Sequence, residues 1–290
     1  MAPDSIIAPL SSQHAFTDEQ CEEQLDHELR LARNVQRSLL PSADPDLPGY
    51  DIAAWSKAAA ATGGDFYDYI DLRDGRLGLV VADVAGHGLA ASLLACETRA
   101  LIQSAALSAQ TLVEIVASTN TLLYRDLRHE RFVTLFLGAL DASTGRIEFV
   151  AAGCMPLAYR ALGAPGFLPL EATIPPLGIT SHVPDGAAAT ITLRDGDVMA
   201  VVTDGFYEWE DVARQPFGMT RVSESVRVHS HHPAGELIQS LHREVRVHGH
   251  GVRQADDLTA MVVKRLPAPR NGSRRPTPGP KSPGRERPTR

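Results

Sequence analysis

The chain has 290 residues, 43% hydrophobic and 22% charged, which suits a soluble globular protein with room for one large domain or two small ones. No apolar run approaches the roughly 20 residues needed to cross a bilayer. MAPDSIIAPLSSQ lacks the basic stretch and apolar core of a signal peptide, so a cytoplasmic protein with no membrane span is expected. Formal net charge is −7, but Leu266–Arg290 carries +6 and leaves −13 on residues 1–265. An acidic body argues against nucleic acid as a partner and suits carboxylates that bind cations.

Residues 1–16 have no periodicity and read as a disordered N-terminus. The next stretch, TDEQCEEQLDHELRLARNVQRSLLP, opens with a capping residue and acids, closes with arginines and stops at Pro41. Leu25, Leu29, Ala32, Val35 or Gln36, and Leu39 recur at helical spacing, so residues 17–48 are expected to form a linker helix. Such a stripe is too short to hold a helix alone. It must pack on its own domain, on a second copy in a homodimer, or on a regulatory protein.

Residues 49–265 read as one domain. Expected strands are Ile52–Ala59, Phe66–Leu72, Arg76–Asp83, Phe132–Leu140, Ile147–Ala152, Leu157–Arg160, Ala189–Leu193, Val198–Thr203 and Leu258–Lys264. Turn signals at Arg73-Asp74-Gly75, Ser143-Thr144-Gly145 and Asp195-Gly196 favour antiparallel hairpins. Leu89–Leu107 and Thr111–Leu127 read as one helix pair, Thr220–Val228 and Ala234–Val247 as another. Hairpins with helices grouped in pairs indicate an α+β fold, the helices covering the outer sheet faces. Leu266–Arg290 is rich in Pro, Arg and Gly and is expected to be a disordered basic tail.

Cys21, Cys96 and Cys154 are odd in number and far apart, so they give neither a disulfide framework nor a zinc spacing. They are expected to be reduced and mostly packing residues. His229-Ser230-His231-His232 and His248-Gly249-His250 lie at helix ends without matching acids and read as solvent-facing loops. Trp55 and Trp209 read as packing residues.

The aspartates are the informative residues. Asp83 ends the apolar run LGLVVAD, before Gly86 and Gly88; Asp65 and Asp68 follow Gly63-Gly64; Asp204 ends VMAVVT before Gly205; Asp256-Asp257 precede LTAMVVK. Taken singly, each is more often a turn or a cap than a ligand. Four strands carrying Asp at one terminus suit a shared site. Gathered carboxylates repel one another unless cations neutralise them. Oxygen ligands without useful His or Cys spacing select Mg²⁺ or Mn²⁺, and two such ions can hold a hydroxide and clamp a phosphoryl oxygen. No G-x-S-x-G elbow, Walker A loop or H-E-x-x-H competes with that reading.

GGDFYDYI, VVADVAGHGLAASLL, RFVTLFLGALD, VVTDGFYE and ADDLTAMVVK, in that order, resemble the PPM/PP2C-type serine/threonine phosphatases. More narrowly they resemble the bacterial sporulation and stress-response branch (SpoIIE/RsbU-like), from about Leu29 to Lys264. The resemblance implies a PP2C-like αββα sandwich, two antiparallel sheets flanked by helix pairs. It implies that Asp83 bridges two metals with the Val84 carbonyl as a further ligand, that Asp204 and Asp256 hold one metal and that Asp65 holds the other. Asp257 is a neighbour that need not be a ligand, and Gly64, Gly86 and Gly205 would let backbone approach the ions. His87 invites a general-acid role, but a loop-shaping one is preferred.

The branch's usual substrate is a phosphorylated anti-anti-sigma (STAS) protein, whose dephosphorylation frees a sigma factor in a partner-switching pathway. Where the family often has Ala-Gly-His, this chain reads Ala152-Gly153-Cys154. Only about 16 residues precede the helix, so no upstream sensor domain is expected and the control of activity is open. The rival readings are a non-catalytic pseudophosphatase that docks a phosphoprotein, and a hydrolase of small phosphate esters.

Overall fold

Successive side chains of a strand face opposite ways, so a strand buried on both faces reads as an unbroken apolar run. Leu77–Val84 (β3) is such a strand. Leu79 and Val81 face a layer between two sheets, while Val80, Ala82 and Val84 face helices. The computed structural model describes residues 18–127, 131–153, 157–160 and 168–267. The N-terminal 17 residues and the basic tail from residue 268 lie outside them, as does Cys154.

Around β3 a five-stranded antiparallel sheet forms from Phe66–Asp71 (β2), Val133–Leu140 (β4), Arg146–Ala152 (β5) and Ala189–Thr192 (β8), in the order β2-β3-β4-β5-β8. The second sheet is built from Tyr50–Lys57 (β1), Leu157–Arg160 (β6), Leu168–Leu170 (β7), Val198–Val202 (β9) and Leu258–Arg265 (β10), in the order β1-β10-β9-β6-β7. Phe136, Ile147, Phe149, Met199, Val201, Met261 and Val263 fill the space between the sheets.

Gly88–Ala106 (α2) and Leu112–Leu127 (α3) cover the outer face of the β3 sheet. The start of α3 is fixed by a reciprocal cap. Thr111 Oγ1 accepts from the Glu114 amide at 3.1 Å, and Glu114 accepts from the Gln110 amide at 2.6 Å. The short turn Gly205–Glu208 (α4), with Met219–His229 (α5) and Ala234–His248 (α6), covers the other sheet through Phe206, Val222, Val226, Leu237, Leu241 and Val245. The α+β sandwich of two antiparallel sheets with helices outside is therefore the observed fold.

The linker helix expected over residues 17–48 is shorter, Asp18–Leu39 (α1), ending just before Pro41. Only its end meets the domain: Leu29, Ala32, Gln36 and Leu39 are half-buried, whereas Leu25, at 59%, and Val35, at 61%, stay exposed. The reading of Val35 or Gln36 on the packed face resolves to Gln36. Two elements departed from expectation. Strand β7 has three residues and α4 has four, each too short to carry a period of its own.

Candidate metal centre

The four aspartates meet at one end of the sandwich because antiparallel neighbours bring a strand's end beside the next one's beginning. Asp65 stands just before β2 and Asp83 near the end of β3, with Phe66 paired to Ala82. Asp204 follows β9 and Asp256 precedes β10, with Val202 paired to Ala260. Two carboxylates thus come from each sheet.

Their mutual repulsion is visible in their acidities. Burial first, then Asp204 and Asp256, push the Asp83 carboxyl up to about 7, against a hydrogen bond with Asp65. Burial, Asp256 and Glu208 raise Asp204 to about 6. Asp65 is held well above the ordinary carboxylate range by burial, Asp83 and Asp257. Thr203 Oγ1 donates to Asp65 Oδ2 at 2.8 Å and also accepts from the Thr259 amide at 3.0 Å, so the residue after β9, held by the start of β10, orients this carboxylate.

Asp257 has a different task. Its Oδ1 accepts from the Ala59 amide at 2.7 Å, and its Oδ2 from the Gly64 amide at 2.6 Å and the Asp65 amide at 3.3 Å. Burial raises its pKa against those three donors. It is the clasp that closes the 59–65 loop over the start of β10. Asp256 is exposed and caps the Asp257 amide at 2.8 Å.

The glycines serve the chain's own close contacts. A Cβ on Gly64 would stand 2.8 Å from the Val84 carbonyl oxygen, and one on Gly205 would collide with the Asp257 carbonyl. Gly86 has φ +104° and lies against the Arg131 guanidinium, which donates to the Ala85 carbonyl at 3.2 Å. What each glycine admits is neighbouring protein; the Val84 carbonyl, which the family resemblance would make a ligand, is the atom that Gly64 approaches. His87 stands at the cap of α2 in extended conformation, makes no capping bond, and borders a depression of about 360 Å³ with Arg253, Gln254 and Asp257.

The structure places Asp68 and Cys21 and corrects one sequence reading, that of the histidines. Asp68 belongs to no centre: it pairs with Arg99 at 2.9 Å and accepts from Gln103 at 2.7 Å, because alternation along β2 turns it toward α2. The 229–232 histidines do have matching acids, supplied by α6: His229 meets Glu244 at 2.7 Å and His232 meets Glu236 at 3.4 Å. Cys21 is exposed on α1 and is not a packing residue. Thr203, Thr259 and Arg131 were not singled out by sequence reasoning.

The donor set is all oxygen, and its raised pKa values are what a divalent cation would relieve, so its chemistry fits Mn²⁺ or Mg²⁺. The set is gathered without being closed. Among the described residues, no three His, Cys, Asp or Glu side chains stand ready around one ion.

The family model described as Stage II sporulation protein E (SpoIIE) matches residues 73–266, most of the chain. The chain belongs to the SpoIIE family of PP2C-type phosphatases. Protein IcfG of Synechocystis sp. is 27% identical to this SpoIIE-family chain over 270 residues, 82% of the chain and 41% of IcfG. The phosphoserine phosphatase RsbP of Bacillus subtilis is 22% identical over 242 residues, 81% of the chain and 57% of RsbP. The chain thus spans about half the length of these curated relatives. Among solved structures, the SiaA-PP2C domain of Pseudomonas aeruginosa superimposes with a TM-score of 0.73 at 21% identity, covering 84% of the chain and 98% of that domain. That likeness confirms the PP2C fold.

Proposed function

We propose that the chain is a metal-dependent protein phosphatase acting on phosphoserine or phosphothreonine, through a centre held by Asp65, Asp83, Asp204 and Asp256 with the Val84 carbonyl. The observation that carries the proposal is the convergence of these four aspartates, two from each sheet, with Asp83 and Asp204 pushed up to about 7 and about 6 by burial and by neighbouring carboxylates. Two Mn²⁺ or Mg²⁺ ions, when bound, would supply Lewis-acid polarisation of the phosphoryl oxygens and activation of the attacking water. Thr203 and Thr259 hold Asp65 in one orientation, and Asp257 fixes the loop that carries it. Asp83 must release its proton before it can act as a ligand.

RsbP is named a phosphoserine phosphatase, and the family resemblance points to a phosphorylated STAS-type protein as substrate in a partner-switching pathway. We read α1 as the regulatory segment. The Gln36 amide grips Gly63, donating to its carbonyl at 2.6 Å and accepting from its amide at 3.2 Å, one residue from Gly64-Asp65. Among the described residues no helix is long and apolar enough to cross a membrane.

The test is hydrolysis of para-nitrophenyl phosphate by the purified protein with Mn²⁺, with chelator, and with Asp83→Asn. Turnover that needs the metal and falls at least about 100-fold in the variant is expected if Asp83 is one of the ligands that would hold the metals. Equal turnover in chelator, or in Asp83→Asn, would refute the reading.

A further inference from the structure

The depressions beside the carboxylates share lining residues and run into one another. One of about 410 Å³ extends from Arg33 and Arg37 of α1 past Lys57 to Asp65 and Asp257. Lys57 also borders a second, of about 310 Å³, together with Arg246, His250 and Gln254. That one shares Arg246 and His250 with a third, of about 590 Å³, on the surface of α6 beside Arg243. Gln254 links the second to the depression that holds His87 and Arg253. The result is a groove that leads outward from the centre, over Lys57 and onto α6.

Six cations stand on its walls: Arg33, Arg37, Lys57, Arg243, Arg246 and Arg253, all exposed. Among the described residues none of the six forms an ion pair. The acids of α6 are engaged elsewhere, Glu236 by His232 and Glu244 by His229. The field is felt by His242, whose ring centroid lies 4.4 Å from that of Trp55: burial, Lys57 and Arg246 hold its imidazole down to about 4.

In a body carrying −13 outside its tail, six uncompensated cations along one groove form a local field opposite to that of the whole. We propose that this groove docks an acidic stretch of the phosphoprotein substrate next to its phosphorylated residue. The inference rests on the phosphatase reading above. A groove that ends at the carboxylates suits a chain segment whose phosphate enters the centre while its flank lies along Lys57 and α6. A flat anionic surface would not reach in.

The test uses Arg243→Glu/Arg246→Glu, two exposed positions on α6 that line neither of the depressions holding Asp65 and Asp257. The probes are para-nitrophenyl phosphate and two phosphoserine peptides of equal length, one flanked by Glu and the other by Gln. Wild-type protein should prefer the Glu peptide. The double charge reversal should lower kcat/KM for that peptide about tenfold at low salt, mainly through KM, with the difference erased at about 0.5 M salt. Aryl phosphate turnover should stay within about twofold. Equal kcat/KM for the two peptides in the wild type, or an equal loss on all three probes in the variant, would overturn the proposal. A failure of the phosphatase reading removes turnover of all three probes at once, so binding is measured as well, by anisotropy of the fluorescein-labelled Glu peptide in chelator. Binding about tenfold weaker in the variant supports the groove, and unchanged binding overturns it.

Discussion

Asp83 and Asp204 hold protons that the same residues in an unfolded chain would release near pH 4, and this fixes the direction of a pH effect. Below about pH 4 both states are protonated and the carboxylates cost nothing. As pH rises toward about 7, the metal-free native state binds more protons than the unfolded chain, so its stability falls, and the fall levels off above the Asp83 value. Thermal melts in chelator should therefore show Tm dropping by several degrees between about pH 5 and about pH 8, with a shallower drop in Asp83→Asn. Added Mn²⁺ should raise Tm more at about pH 8 than at about pH 6, since metal and proton compete for the same oxygens. A wild-type Tm that rises with pH in chelator would contradict this account. The four aspartates were legible in the sequence because a carboxylate at a strand terminus, three of the four with glycine alongside, borders an apolar run, which makes it conspicuous. Thr203, Thr259 and Arg131 were not, since Thr is an ordinary strand residue and one Arg beside a strand resembles any other.

At the scale of elements, the tightest joint is between α4 and β10. Gly205 lies so close to the Asp257 carbonyl that a Cβ has no room. Gly205→Ala should push the start of β10 away and cost about 1–3 kcal/mol, the usual penalty for overpacking, measured by urea denaturation. It should also lower metal affinity, because the displaced segment carries Asp256. An unchanged midpoint would mean that the joint relaxes freely. Most strands and helix pairs could be read from period and turn residues, within a residue or two at their ends. The failures were of size. Strand β7 and turn α4 are formed by what surrounds them, and Leu168–Leu170 becomes a strand because β6 offers it a partner. The partners of His229 and His232 were hidden because α6 lies 15 residues away for one of them and is brought back only by the α5–α6 turn.

For the molecule as a whole, stability rests on three stacked apolar layers, and the middle one is the layer on which both sheets depend. Phe136 is fully buried there, 5.8 Å from the Phe149 ring. Phe136→Ala should cost about 3–5 kcal/mol, and calorimetry should show one transition at lower temperature. Two separate transitions would mean that the sheets fold independently. The layers were legible only in outline. An unbroken apolar strand such as β3 announces that both its faces are buried, but which neighbour covers which face is decided by pairings across the whole chain.

The strand pair that begins and ends the domain has a further consequence. Tyr50 at the start of β1 is paired with Arg265 at the end of β10, and the Leu266 amide donates to the Gly49 carbonyl at 2.8 Å. Entry and exit therefore lie side by side at one corner of the molecule, and the intervening chain is a closed circuit. Such a module could be spliced into a host protein through a single doorway, or have its ends joined and be reopened at the exposed 73–75 turn, without disturbing either sheet.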